Sequence, residues 1–404
     1  MSTARPRSFA PAPAGRRGGL LRHAALFFLL CLLGACTADR ALSPTAPYVT
    51  NGTVVPNPGS ATGQVVERTN VVTATNYRYV YVASYATVPG PLPKFSGPVG
   101  ILVAGASPNK RIYVSDANNQ VIFHFLYDGA FTIGAPTWTA VASAVQLMTL
   151  DAAGNLWVPD STLNRIVVYG NIGLGLPTPL YTNLLTSGSA PGYLGATPGT
   201  ALALPSGMIL VCDRGNNRLM SFTNVSSPPN KSTNISTNFF FNMALNFGLL
   251  NLNAPTTLRP NFINNGAQNY LAVDQGNNRL LEIDSNFNLV RIMGNPTTTA
   301  AASGGANTFN AMIDVATNTL RHYLVVDRNN HRVIRLNSDG YVMEIIGGYN
   351  SSPANGMFFN PYGIWVDGDD LMYVVDQGNN RFQVFTNTVT NQIVTNIVRT
   401  WSNY

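Results

Sequence analysis

VVDQGNNRFQVF, residues 374–385, holds the pattern from which the fold can be read. An apolar run ends in Asp376, the chain turns through Gly378, Asn379 and Asn380, and Arg381 opens a second apolar run. Tyr373 and Val375, and then Phe382 and Val384 alternating with Gln383 and Phe385, suit strands in a sheet covered on both faces. Gly and Asn accept positive φ, so the turn predicts a hairpin loop and not a helix. The pattern recurs as VSDANNQVIF, VPDSTLNRIVV, VCDRGNNRLMSF, AVDQGNNRLLEI and VVDRNNHRVIRL. The six aspartates, Asp116, Asp160, Asp213, Asp274, Asp327 and Asp376, lie 44 to 61 residues apart, the length of one four-stranded unit plus a variable loop. In each unit the carboxylate can accept hydrogen bonds from its own turn, and Arg165, Arg218, Arg279, Arg332 or Arg381 can tie it to a neighbouring strand. A catalytic residue is needed once, whereas a residue that closes a structural unit is needed in every unit. These aspartates and arginines therefore read as structural.

The last unit, FFNPYGIWVDGDDLMYVVDQGNNRFQVF followed by IVRTW, resembles an NHL repeat. Pro361 and Gly363 lead strand a, Asp367 closes it, residues 373–376 form strand b, 381–385 strand c and 397–401 strand d. The resemblance covers roughly residues 97–401 and is strongest in the last three units. In the first unit Gln120 stands in the Arg slot, and the second unit turns through STLN. The resemblance implies an all-β, six-bladed β-propeller, with seven blades as the alternative. Residues 76–86 (NYRYVYVASYA) have a strand pattern that suits either an outer strand closing the ring or part of an extra blade. The expectation adopted is an N-terminal hairpin over 71–96 packed on a propeller of residues 97–404.

The first 36 residues are of another kind. Arg5, Arg7, Arg16, Arg17 and Arg22 precede an apolar run over 24–33, too short to span a bilayer and with no acidic residue before Asp39. This reads as a signal peptide. The ending Leu33, Gly34, Ala35, Cys36 resembles a bacterial lipobox, which implies cleavage after residue 35 and lipid on Cys36. Thr37 stands where an inner-membrane retention signal would place Asp, so the resemblance to lipoproteins of Gram-negative bacteria implies the outer membrane. Residues 36–70, with Pro56, Pro58 and Gly59, read as a flexible tether.

Removing this leader changes the charge balance. The whole chain has 24 Lys and Arg against 18 Asp and Glu, and the leader holds five arginines and no acid. The remainder is nearly neutral and has only Lys94, Lys110 and Lys231 as lysines, which argues against a nucleic acid partner. Without the leader, Cys212 is the one cysteine besides Cys36, so no intramolecular disulfide is expected. Cys212 takes the place of Ser, Pro or Val in the other units and reads as a buried apolar side chain.

Catalytic constellations are sparse. Outside the leader the histidines are His124, His322 and His331, spread over strands and a turn, too few for a zinc site. Asp151, Asp314 and Asp367, with Asn155, fall near strand a ends and leave a channel Ca2+ open; no other cofactor is expected. Asn is abundant, 45 of 404 residues, as suits a surface built of turns and contacts through neutral hydrogen bonds. The insert with Phe239, Phe240, Phe241, Met243 and Phe247 reads as a strand d and its cover, or as an exposed apolar patch.

The expected function is a lipid-anchored, non-enzymatic platform for a protein, peptide or glycan. The alternatives are a divalent-cation-dependent propeller lyase or hydrolase, and a structural part of a cell-surface assembly. On a platform, specificity belongs where the copies differ. The position after each repeated Asp is Ala117, Ser161, Arg214, Gln275, Arg328 and Gln377 in turn. In the family's blade order that turn shares a face with the d-to-a loops. The candidate binding residues are therefore Arg214, Gln275, Arg328 and Gln377, with Phe359 and Tyr362 nearby.

Overall fold

The computed structural model describes residues 48–49, 54–56, 63–86, 94–105, 109–127, 137–140, 145–170, 178–184, 188–190, 193–224, 239–245, 251–261, 269–294, 309–348 and 350–403. The chain divides into two compact units, Met1–Asn76 with Thr390–Tyr404, and Tyr77–Val389. In the first, the strands Tyr48–Val49 and Val54–Pro56 each pair antiparallel with the strand Gly63–Tyr85. The leader, Cys36 and most of the expected tether lie outside the described residues. Among the described residues no helix is long and apolar enough to cross a membrane.

The second unit is a β-propeller. Blade 1 is built of Pro98–Ala104, Lys110–Asp116, Val121–Tyr127 and Thr137–Ala140, and blade 2 of Thr149–Leu150, Leu156–Asp160, Arg165–Gly170 and Thr178–Leu184. Blade 3 follows with Ala201–Ala203, Met208–Asp213, Arg218–Asn224 and Phe239–Leu245, and blade 4 with Pro255–Asn261, Asn269–Asp274, Arg279–Ile283 and Leu289–Gly294. Blade 5 is Met312–Thr317, Tyr323–Asp327, Arg332–Leu336 and Val342–Gly347. Blade 6 begins with Pro361–Val366, Met372–Asp376 and the start of Arg381–Asn403. Strand d of blade 3 holds Phe239, Phe240, Phe241 and Met243, while Phe247 lies outside the described residues.

Strand d of blade 6 corrects the sequence reading. Residues 397–401 continue the long strand Arg381–Asn403 and form no separate strand. The fourth strand is supplied by residues 77–85, the end of Gly63–Tyr85, which pairs with Arg381–Asn403. These residues run as one strand and not as a hairpin packed on the ring. Tyr85 stacks on Phe382 at 4.8 Å, Tyr81 meets Phe385 edge-on at 6.0 Å, and Thr388 donates its hydroxyl to the Arg78 carbonyl at 3.0 Å.

The core lies between blades. Successive side chains of a strand point to opposite faces, so each inner strand feeds two interfaces. Leu324 and Val326 pack toward blade 6, whereas Tyr323 and Val325 pack toward blade 4. Six apolar clusters fill the successive interfaces, including the one where blade 6 meets blade 1 through Phe382, Val384, Phe123 and Phe125. At that junction a Cβ on Gly363 would lie 2.5 Å from the Val99 carbonyl oxygen, so only glycine admits the approach of the two innermost strands.

Candidate functional site

In blades 3 to 6 the repeated turn is one 3-10 turn closed by a left-handed residue, a refinement of the predicted hairpin loop. Asn217, Asn278, His331 and Asn380 have φ between 50° and 56°. Positive φ thus falls on the second Asn position and not on the glycine. Gly378 is there for space, since a Cβ would stand 2.6 Å from the Phe359 ring and carbonyl oxygen. Gly378 donates its N–H to that carbonyl at 2.8 Å, which brings the b-to-c turn and the d-to-a loop to one face.

The repeated Asp and Arg hold the same two segments. Arg Nε meets Asp Oδ2 at 2.8 Å for Arg165 and Asp160, 2.6 Å for Arg218 and Asp213, and 2.7 Å for Arg279 and Asp274. The distances are 2.7 Å for Arg332 and Asp327 and 2.6 Å for Arg381 and Asp376. The other carboxylate oxygen accepts a backbone N–H of the loop: Gly195 to Asp213 at 2.6 Å, and Asn253, Asn310 and Phe359 to Asp274, Asp327 and Asp376 at 2.7 Å each. Asp116, without an Arg, accepts Ser96 N–H at 2.7 Å and Asn119 N–H at 3.1 Å. The left-handed residue reaches the next blade. Asn164, Asn217, Asn278 and Asn380 accept the N–H groups of Thr197, Ala254, Ala311 and Gly97 at 2.7 to 3.0 Å.

The unshared residues of the last four turns pair with one another across neighbouring blades. Arg214 Nη2 donates to Gln275 Oε1 at 2.9 Å, and Arg328 Nη2 to Gln377 Oε1 at 3.1 Å. The Arg328 guanidinium lies over the Tyr362 ring, 5.4 Å from its centroid. Tyr362 donates its hydroxyl to Gln146 Oε1 at 3.2 Å, and Gln146 Nε2 donates to Ser161 Oγ at 3.1 Å. Arg214, Gln146, Thr256 and Tyr362 line one small cavity, so blades 2, 3, 4 and 6 all contribute. Phe359 stands apart, 38% exposed and edge-on to His331 at 5.6 Å. The surrounding protein raises the pKa of Tyr362 by desolvation, opposed by Arg214 and Arg328, so its hydroxyl stays protonated.

Gln146 and Thr256 were not singled out by sequence. The signal lies in register: Val145 bridges Asp160, Pro255 pairs with Asp274 and Pro361 with Asp376, so Gln146, Thr256 and Tyr362 each follow the partner of a repeated Asp.

Deeper in, the strand a carboxylates are already engaged. Arg259 Nη2 meets Asp314 Oδ2 at 3.0 Å, its Nη1 donates to the Met148 carbonyl at 3.0 Å, and its guanidinium lies 5.4 Å from the Trp365 ring centroid. Asp314 also accepts Ile364 N–H at 3.0 Å, so this pair joins blades 2, 4, 5 and 6. Asp151 accepts the N–H groups of Ala153 and Asn155 at 2.9 and 2.8 Å and the Trp157 indole N–H at 3.1 Å. Asp367 meets Lys110 Nζ at 2.6 Å and accepts the Tyr373 hydroxyl at 2.8 Å. These donor-saturated, separated carboxylates do not make a calcium cage. Among the described residues no three His, Cys, Asp or Glu side chains cluster to hold a metal. His124 stacks on Tyr113 at 4.7 Å, and burial together with Arg111 pushes its pKa down to about 4. Cys212 is buried, and desolvation raises its pKa.

No protein-family model and no curated protein matches the chain. Solved structures do resemble it. A protein of unknown function from Bacteroides thetaiotaomicron shares 14% identity over 85% of this chain and 90% of that one, with a TM-score of 0.54. An auxiliary nutrient binding protein from Bacteroides ovatus shares 11% over 80% and 83%, with a TM-score of 0.53. Virginiamycin B lyase from Staphylococcus aureus shares 13% over 78% and 99%, with a TM-score of 0.50. At these identities the likeness is one of fold, the β-propeller.

Proposed function

We propose that this chain is a lipid-anchored, extracytoplasmic β-propeller that binds a partner at one face and performs no chemistry on it. One observation carries the reading: Arg214, Gln275, Arg328 and Gln377, at the positions that differ between copies of the turn, form two polar pairs, one against Tyr362 and one lining a small cavity with it, while the repeated polar residues are consumed in holding the ring. A rigid scaffold with variable side chains at one opening is the usual arrangement of a binding surface. In this reading Cys36 carries the lipid that holds the protein at the outer membrane of a Gram-negative bacterium.

The face is tested with the double variant R214A/R328A. It should keep the wild-type melting temperature and lose partner capture from solubilised outer membrane. Equal capture by the double variant would remove the proposed face. For the anchor, mass spectrometry of the mature N-terminus should find an acylated Cys36, and Cys36→Ala should release the protein from the membrane fraction.

A further inference from the structure

We propose that the ligand of this face is a carboxylated saccharide, its carboxylate received by the guanidinium groups of Arg214 and Arg328 beside Tyr362. The inference rests on the binding-platform reading and deepens it.

The two arginines differ from those of the repeat. Arg165, Arg218, Arg279, Arg332 and Arg381 are each neutralised by an aspartate within 2.8 Å. Arg214 and Arg328 have no ion pair among the described residues, and each is held by the side-chain oxygen of a glutamine at 2.9 and 3.1 Å. A neutral amide orients a guanidinium and leaves its charge uncompensated. Arg328 lies 5.4 Å from the Tyr362 ring centroid and Arg214 lines one small cavity with Tyr362, so both face the same tyrosine. Arg328 Nε is in addition buried with no hydrogen-bond partner among the described residues, so this guanidinium lacks compensation there as well. A planar, two-oxygen anion fits donors of this geometry.

The surroundings favour a sugar over a peptide. Gln146, Gln275 and Gln377 supply side-chain amides, groups that pair with a pyranose ring's hydroxyls. A protein partner would be anchored in deep apolar pockets. On this face the described large apolar side chains above a third exposed, Leu163, Tyr193 and Phe359, each stand on a separate turn or loop.

The test is calorimetric titration of the full chain with oligomers of galacturonate, glucuronate and mannuronate, their methyl esters, and an acidic peptide with a free C-terminus. At least one acid oligomer should bind, with its ester at least about tenfold weaker, the scale of a lost charge-assisted hydrogen bond. R214Q/R328Q should bind acid and ester alike while melting as the wild type does. The esters need no variant, so the comparison stands even if the double variant misfolds. Three results would overturn the proposal: no acid oligomer binds, an ester binds as tightly as its acid, or the peptide binds in place of the sugars. If R214A/R328A still loses its membrane partner, such a result removes the saccharide and leaves the platform standing. Undiminished capture removes both.

Discussion

His331 Nδ1 accepts the backbone N–H of Asn360 at 3.1 Å, making in imidazole chemistry the contact that Asn makes at the other described blade junctions. The contact joins blade 5 to blade 6 and exists only while Nδ1 is unprotonated. Desolvation, then Arg328, lower the pKa of His331, and Asp376 and Asp327 oppose them. The unfolded chain therefore binds this proton more tightly than the folded one. Stability from the contact is fully present above the ordinary His value of about 6.5 and is lost as pH falls below it. His331→Asn restores a side chain that cannot protonate. The variant should lose less stability than the wild type between neutral and mildly acidic pH, by about 1 kcal/mol, as read by urea denaturation across that range. Parallel curves for the two proteins would show that the imidazole carries no such dependence.

Arg332 and Asp327 form the most enclosed of the repeated pairs, both side chains 0% exposed, whereas Arg165 of blade 2 is 16% exposed. Removing one partner of a buried pair leaves an uncompensated charge. Arg332→Leu should cost about 3–5 kcal/mol. Arg165→Leu should cost clearly less, because water still reaches that site. Denaturant midpoints of the two variants compare them, and equal losses would contradict the burial argument.

What sequence shows and hides follows from locality. Asp376 and Arg381 are five residues apart and repeat a job done within each blade, so their structural role can be read from recurrence alone. Tyr362 and Gln146 meet across 216 residues, and Arg259 reaches Met148 across 111, so only the closed ring brings them together. Strand d of blade 6 was misread for the same reason. Residues 77–85 and 397–401 both have strand patterns, and pattern does not say which of them serves as the outer strand of blade 6. Gly378 shows a subtler limit: sequence read its flexibility, whereas its use is the missing Cβ.

Cys212 is 0% exposed in the interface of blades 3 and 4, and desolvation raises its pKa, so the thiolate is scarce and shielded. In a chain with Cys31 and Cys36 replaced by serine, a thiol-specific reagent should leave Cys212 unmodified in native buffer and label it fully in denaturant. Rapid native labelling would show an open interface there and revive a chemical role for the thiol.

Tyr79 decides whether residues 77–85 are needed to close the ring. It is 4% exposed, packs with Ile313, Leu324, Phe358 and Met372, and its hydroxyl accepts Asn318 Nδ2–H at 3.2 Å. Its own N–H donates to Glu344 at 3.2 Å, and Glu344 pairs with Arg335 at 3.2 Å, so blade 5 grips the strand as well. Tyr79→Phe removes one hydrogen bond and should cost about 1 kcal/mol. Tyr79→Ala removes a buried aromatic ring at the junction of blades 5 and 6 and should cost about 3–5 kcal/mol. Because a strand held by edge pairing opens before the whole domain does, Tyr79→Ala should also make residues 77–85 the first site of proteolysis under native conditions. If the alanine variant melts as the wild type does and is cleaved elsewhere first, the N-terminal strand is an ornament on a ring that closes without it.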